Sequence, residues 1–160
     1  MKEHRFEAWT GNKGTGTSGY AAYSRDHVIR VPGKPELRAS SAPAFRGDGS
    51  LHNPEDLLVA SLSTCHMLWF LHVASDAGLI VTGYVDSASG TMVVESGGAG
   101  QFASVVLRPR VTVAGGSAGG PDVGAHVAEL HHKAHEKCFI ARSVNFPVTI
   151  EGSVGNATTS

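Results

Sequence analysis

An α+β fold is what this 160-residue sequence predicts. Three observations predict it. A central stretch is apolar on nearly every side, as in a covered helix; alternating segments stand before and after it; and a second helical stretch precedes a last short strand. The order is strands, long helix, strands, helix, strand, with no internal repeat.

"RFEAWT" alternates as a first strand does, and "GNKGTGTSG" is a turn. "YAAYSRDHVIRV" is extended, "PGKPE" punctuates, and "LRASSAPAFRGDGS" is an irregular link. Asn53 can N-cap the long helix, Pro54 suits its first position, and Glu55 and Asp56 complement its dipole. This helix should run to Asp76 or Ala77, with Gly78 as its stop. Leu57, Leu58, Val59, Leu62, Met67 and Leu68, then Trp69 to Leu71 and Val73, leave it little polar face. A single chain with one sheet would struggle to cover such a helix, so a second subunit is expected.

"LIVTGYVDSASGTMVVES" and "QFASVVLRPRVTVAG" each alternate as strands, with a turn at "DSASG". "GGSAGGPD" is a link. Pro121 and Asp122 open a second helix from Val123 to Lys137, and a strand follows near Val148 to Glu151. Residues 1–153 read as a single domain and residues 154–160 as a disordered tail.

The net charge is −1 and no Lys/Arg block stands out, which argues against nucleic acid as a partner. "MKEHRFEAW" lacks the apolar core of a secretory signal. Leu57 to Ala74 contains His66 and His72 and follows two acidic residues, so it reads as a buried helix and not a membrane span. A cytoplasmic location is expected. There, two cysteines are poor candidates for a permanent disulfide; they are core thiols, metal ligands or a redox pair.

Cys65 stands about three turns into the long helix, beyond the reach of the dipole that lowers a thiol's pKa at a helix start. A reactive thiolate there needs a cation from elsewhere, and Arg25, Arg38 and Arg46 all precede the helix. Glu55 can hold a guanidinium in place, although ten residues put it about 15 Å from Cys65 along a continuous helix. Cys138 closes the second helix and supplies a partner thiol. "HHKAHEKC" also sets His131, His135 and Cys138 on one helical face, and Cys65 or His66 would complete four ligands. Zinc binding is therefore a competing reading, though the HExxH order is missing.

"NPEDLLVASLSTCHMLWFLHVASDAGL" together with "HKAHEKCFIARSVNFPVTI" resembles the OsmC/Ohr family of thiol peroxidases. The shared pattern is Asn53, Pro54, Glu55, Cys65 ten residues on, and Cys138 at the end of a second helix, and the likeness runs from Trp9 to the last strand. It implies an intertwined homodimer with antiparallel sheets wrapped around long central helices. It implies reduction of organic hydroperoxides in oxidative-stress defence, with Cys65 as peroxidatic thiol, Cys138 as resolving thiol, and no metal, haem or flavin. A dithiol, of lipoyl type in one branch, would recycle the disulfide. Leu62, Met67, Leu68, Trp69 and Phe70 would give the thiol an apolar surround favouring alkyl substrates. The family's catalytic arginine is not cleanly matched: its usual places fall on Ala44 and Lys13, which leaves Arg25, taken as the candidate, and Arg46. His66 stands where the better-known branches carry an aromatic residue, and it could protonate the leaving alkoxide or bond elsewhere. A non-catalytic member of the fold that binds a small hydrophobic ligand is the remaining alternative.

Overall fold

The structure, a computed structural model, describes residues 1–14, 16–115 and 122–155; Pro121 and residues 156–160 of the expected tail lie outside them. The described chain forms two compact units, one ending at Leu57 and the other beginning at Leu58.

In the first unit, β1 (Trp9–Gly11), β2 (His27–Arg30) and β3 (Leu37–Ala39) form an antiparallel sheet in that order. Trp9 stands opposite Arg30, and His27 opposite Ala39. Both leading strands are shorter than the sequence alternation suggests. The reason lies in local competition for backbone groups. Gly19 and Ala22 close a turn, and the Asn12 amide donates to the carbonyls of Ser24 (3.3 Å) and Asp26 (2.5 Å). The link after β3 holds a 3₁₀ turn, Pro43–Phe45, that stops at Arg46 in the left-handed region with φ 66°.

Helix α1 (Pro54–Asp76) starts as its capping residues require. Asn53 Oδ1 accepts the Asp56 N–H at 2.8 Å, and the Asn53 amide donates back to the Asp56 carboxylate at 2.8 Å. Its end is a Schellman motif. Gly78 N–H bonds the Ser75 carbonyl, Leu79 N–H bonds the Ala74 carbonyl, and Gly78 adopts φ 72°. Gly78→Ala should therefore cost about 1 kcal/mol, the penalty of a Cβ in left-handed backbone, read as a lower urea midpoint at unchanged slope.

The second unit continues α1 and adds β4 (Val81–Asp86), β5 (Ser89–Val94), β6 (Gly100–Leu107), β7 (Pro109–Val113), α2 (Val123–Lys137), β8 (Val148–Ile150) and β9 (Ser153–Gly155). One sheet has the order β4-β7-β9 and another β5-β6-β8. Both stretches read from sequence as long strands are broken in two. The first breaks at the expected turn. The second breaks at Arg108, which precedes a proline and whose N–H leaves the ladder for Asp86 Oδ1 at 2.6 Å. The antiparallel sheets implied by the resemblance each gain a parallel edge, β8 on β6 and β9 on β7. Val154 and Gly155, assigned to the tail by composition, are ladder residues of β9.

Two apolar clusters hold this unit together. Phe70, Val73, Ala74 and Leu79 pack with Val111 and with Val127, Leu130 and Ala134 of α2. Leu62 packs with Val105 and Leu107. The buried residues of α1 are Leu62, His66, Phe70, Val73 and Ala74, a single stripe at helical spacing. The rest of this apolar helix is only partly covered: Leu58, Val59 and Trp69 are half-buried, and Leu68 and Leu71 are exposed. Among the described residues α1 is also the one helix long and apolar enough to cross a membrane by length and composition alone.

Candidate active site

Cys65 lies in the middle of α1, half-buried, just off the buried stripe. Cys138 lies at the point where α2 stops: its backbone leaves the helix at φ −66°, ψ 109°, and its N–H still bonds the His135 carbonyl at 3.2 Å. The Cys138 carbonyl then accepts the N–H of Arg142 at 3.0 Å, which folds the chain into a 3₁₀ turn, Ala141–Ser143. This capping places the Cys138 side chain, 1% exposed, beside the Cys65 thiol, close enough for Cys65 to perturb its ionisation. Burial pushes the Cys138 thiol up to about 11, and the neighbouring Cys65 adds to that, against lowering hydrogen bonds from the Ala141 and Ile140 backbone. Cys138 is thus held as a neutral thiol beside Cys65.

An open pocket of about 290 Å³ lies against Cys65, lined by Leu68, Trp69, His72 and Phe139. Trp69 meets Phe139 edge-on at 5.3 Å and His72 at 5.4 Å, which fixes the indole as the pocket's side. Lys137 Nζ stands 5.5 Å from the Trp69 ring, within cation–π range. Of the apolar surround expected from sequence, Leu68 and Trp69 face this pocket, whereas Leu62 and Phe70 are fully buried in the two cores. Phe139, 66% exposed, went unnoticed in the sequence; a large aromatic directly after a helix-ending cysteine was the available signal.

His66 turns away from Cys65 into the interior. Its Nε2 is 3.0 Å from His131 Nδ1, the two rings lie nearly parallel, 13° apart with centroids at 5.2 Å, and both residues are buried. Phe70 stacks on the other partner, 4.2 Å from the His131 ring. Burial first, then the neighbouring His131 and His135, drives the His66 pKa down to about 4; burial does the same to His131, also to about 4. At neutral pH both rings are uncharged. His66 is therefore no imidazolium donor to an alkoxide.

His131 spends Nδ1 on His66, Cys138 faces Cys65, and among the described residues no three His, Cys, Asp or Glu side chains gather as a metal ion requires.

Glu55 and Arg25 lie in the other unit. Glu55 Oε2 is buried with no hydrogen-bond partner. The Arg25 guanidinium lies close to the rings of Tyr23 (3.8 Å) and Tyr20 (4.7 Å), which stand edge to face, and donates to both their carbonyls. No ion pair joins Arg25, Arg46 or Lys13 to an acid among the described residues.

A two-helix α+β framework that juxtaposes a half-buried cysteine and a buried one defines a class of thiol proteins. The family model for OsmC-like protein matches residues 47–153, and the chain belongs to that family. An OsmC-like protein of unknown function from Vibrio cholerae O1 biovar eltor str. N16961 is 33% identical, with 94% of this chain and 99% of that one covered and a TM-score of 0.83. An organic hydroperoxide resistance protein from Elizabethkingia anophelis shares the fold at 17% identity, with 97% and 98% covered and a TM-score of 0.67. Another organic hydroperoxide resistance protein, from Legionella pneumophila, shares it at 18% identity, with 96% and 99% covered and a TM-score of 0.67. No curated protein matches the chain in sequence.

Proposed function

We propose that the chain is a thiol peroxidase that reduces organic hydroperoxides, and the observation that carries this reading is the contact of Cys65 with a protonated Cys138 beside an apolar pocket. The Cys65 thiolate attacks the distal oxygen of the hydroperoxide. The O–O bond breaks, the alkoxide takes a proton and leaves as the alcohol, and Cys65 becomes a sulfenic acid. Cys138 then attacks that sulfur through its own; its proton and the sulfenic hydroxyl leave as water, and a Cys65–Cys138 disulfide remains. A dithiol, such as a lipoyl group, returns both thiols. The raised pKa of Cys138 suits this order, because a neutral thiol beside Cys65 donates a hydrogen bond and does not compete for the peroxide.

Arg25 supplies the cation in this scheme and Glu55 its counter-charge; support comes from the buried, unpartnered Glu55 oxygen, which a guanidinium would satisfy. The protein acts as a homodimer in the cytoplasm, for the uncovered apolar faces of α1 ask for a second subunit.

Cumene hydroperoxide added to reduced protein should make both thiols resistant to alkylation and yield an intramolecular Cys65–Cys138 disulfide by peptide mass analysis. Hydrogen peroxide, which gains nothing from Leu68, Trp69 and Phe139, should act at least about tenfold more slowly. Thiols that stay alkylatable in excess hydroperoxide would end this reading in favour of a hydrophobic-ligand binder with idle cysteines.

A further inference from the structure

Helices α1 and α2 meet with their residues in opposite order: Cys65 faces Cys138, and His131 lies against both His66 and Phe70. Most of the residues the two helices share a core with are apolar: Phe70, Val73 and Ala74 stand in one cluster with Val127, Leu130 and Ala134. Apolar packing is non-directional and by itself tolerates small rotations of one helix on the other. A buried polar contact is different, because it is satisfied in one register and lost in the next. The His66–His131 bond, at 3.0 Å, is such a contact. It joins the residue next to Cys65 to a residue two turns before Cys138. The bond needs one facing nitrogen to donate and the other to accept, which two neutral rings of complementary tautomer provide. The Gly152 backbone seats the far side of His131: a Cβ there would come within 2.7 Å of the His131 ring.

We propose that the His66–His131 hydrogen bond is a register clamp between α1 and α2, and that His66 and His131 are positioning residues which hold the Cys138 sulfur within bonding reach of Cys65. The proposal rests on reading Cys65 and Cys138 as a redox pair. The clamp does not touch the substrate. It sets the effective concentration of one thiol at the other, and so the ease of forming the disulfide.

The test is the equilibrium of the purified full-length protein with reduced and oxidised glutathione, read by alkylation and mass. Two glutathione thiols form as the Cys65–Cys138 bond closes, so the equilibrium constant reports that effective concentration directly. His66→Phe keeps an aromatic ring and removes the hydrogen bond; it should lower the constant by about tenfold. His66→Gln places an amide, able to donate through nitrogen or accept through oxygen, close to the position of Nε2 and should recover most of that loss. His131→Leu removes the bond from the α2 side and should match His66→Phe, which keeps the test alive should His66→Phe not fold. Wild-type constants in both His66→Phe and His131→Leu would overturn the clamp, as would a His66→Gln constant as low as that of His66→Phe. Glutathione exchange involves no peroxide. A protein that forms the disulfide with glutathione but ignores cumene hydroperoxide would defeat the peroxidase reading and leave the clamp standing.

Discussion

Cys65→Ser should abolish hydroperoxide turnover, by about a thousandfold or more, because a serine hydroxyl neither ionises near neutral pH nor forms a sulfenic acid. Cys138→Ser should behave differently. Its first turnover, one alcohol released per Cys65, should proceed near the wild-type rate, and the enzyme should then stall as a trappable sulfenic acid. The contrast follows from the structure of the site: Cys65 borders the apolar pocket, while Cys138 is buried behind it and held neutral by its surroundings. Rapid-mixing measurements of alcohol release, with dimedone labelling of the stalled protein, separate the two. Undiminished turnover in Cys65→Ser would exclude it as the peroxidatic thiol; undiminished multiple turnover in Cys138→Ser, with the same dithiol, would exclude Cys138 as an obligatory resolving partner.

Helix α1 was legible from sequence because its boundaries are local, whereas at the start of α2 Asp122 makes no side-chain cap hydrogen bond. Asn53, the acidic first turn and Gly78 each act within a few residues, and the caps form as their chemistry predicts. The strands before α1 were legible only in part. Asn12 reaches across to Ser24 and Asp26, a side-chain contact that no period-two pattern encodes. The pairing of β8 with β6 and of β9 with β7 is long-range, and so the two ladder residues of β9 near the end of the chain resembled a tail. The site divides along the same line. Spacing placed the two cysteines on helices and the resemblance paired them, but burial decides what each thiol does. His131 looked like a metal ligand because its spacing to His135 and Cys138 suits one; the ring in fact bonds across to His66, which only the packing of α1 on α2 could reveal. The cation for Cys65 is the point at which neither spacing nor resemblance suffices, since Arg25 is held by two tyrosine rings of its own unit.

Acid should unfold this protein through the same histidine pair. In the folded chain His66 and His131 each have a pKa of about 4, against an ordinary value of 6.5. Between those two values the unfolded chain binds protons that the folded chain refuses. Stability is therefore unaffected by this pair above about pH 7, falls as the pH drops through the ordinary histidine range, and levels off only below the folded-state pKa. The first proton refused is worth about 3 kcal/mol by the pH 4 end of that window, a large part of a small domain's total stability. Groups facing the pair from the packed elements modulate the loss without reversing it: His135 on α2 opposes protonation of His66, Asp86 on β4 favours it, and the buried Tyr84 hydroxyl stays neutral. Urea denaturation from pH 7.5 to 4.5 should thus show a falling midpoint, and His66→Gln should flatten the slope by removing one of the two titrating rings. An equally steep slope in that variant would place the acid sensitivity elsewhere, since a glutamine side chain cannot take up the proton. The hydrogen bond gives the two losses a common origin: once both rings carry protons, two donors face each other, and the contact that ties α1 to α2 becomes a repulsion beside the cysteine pair.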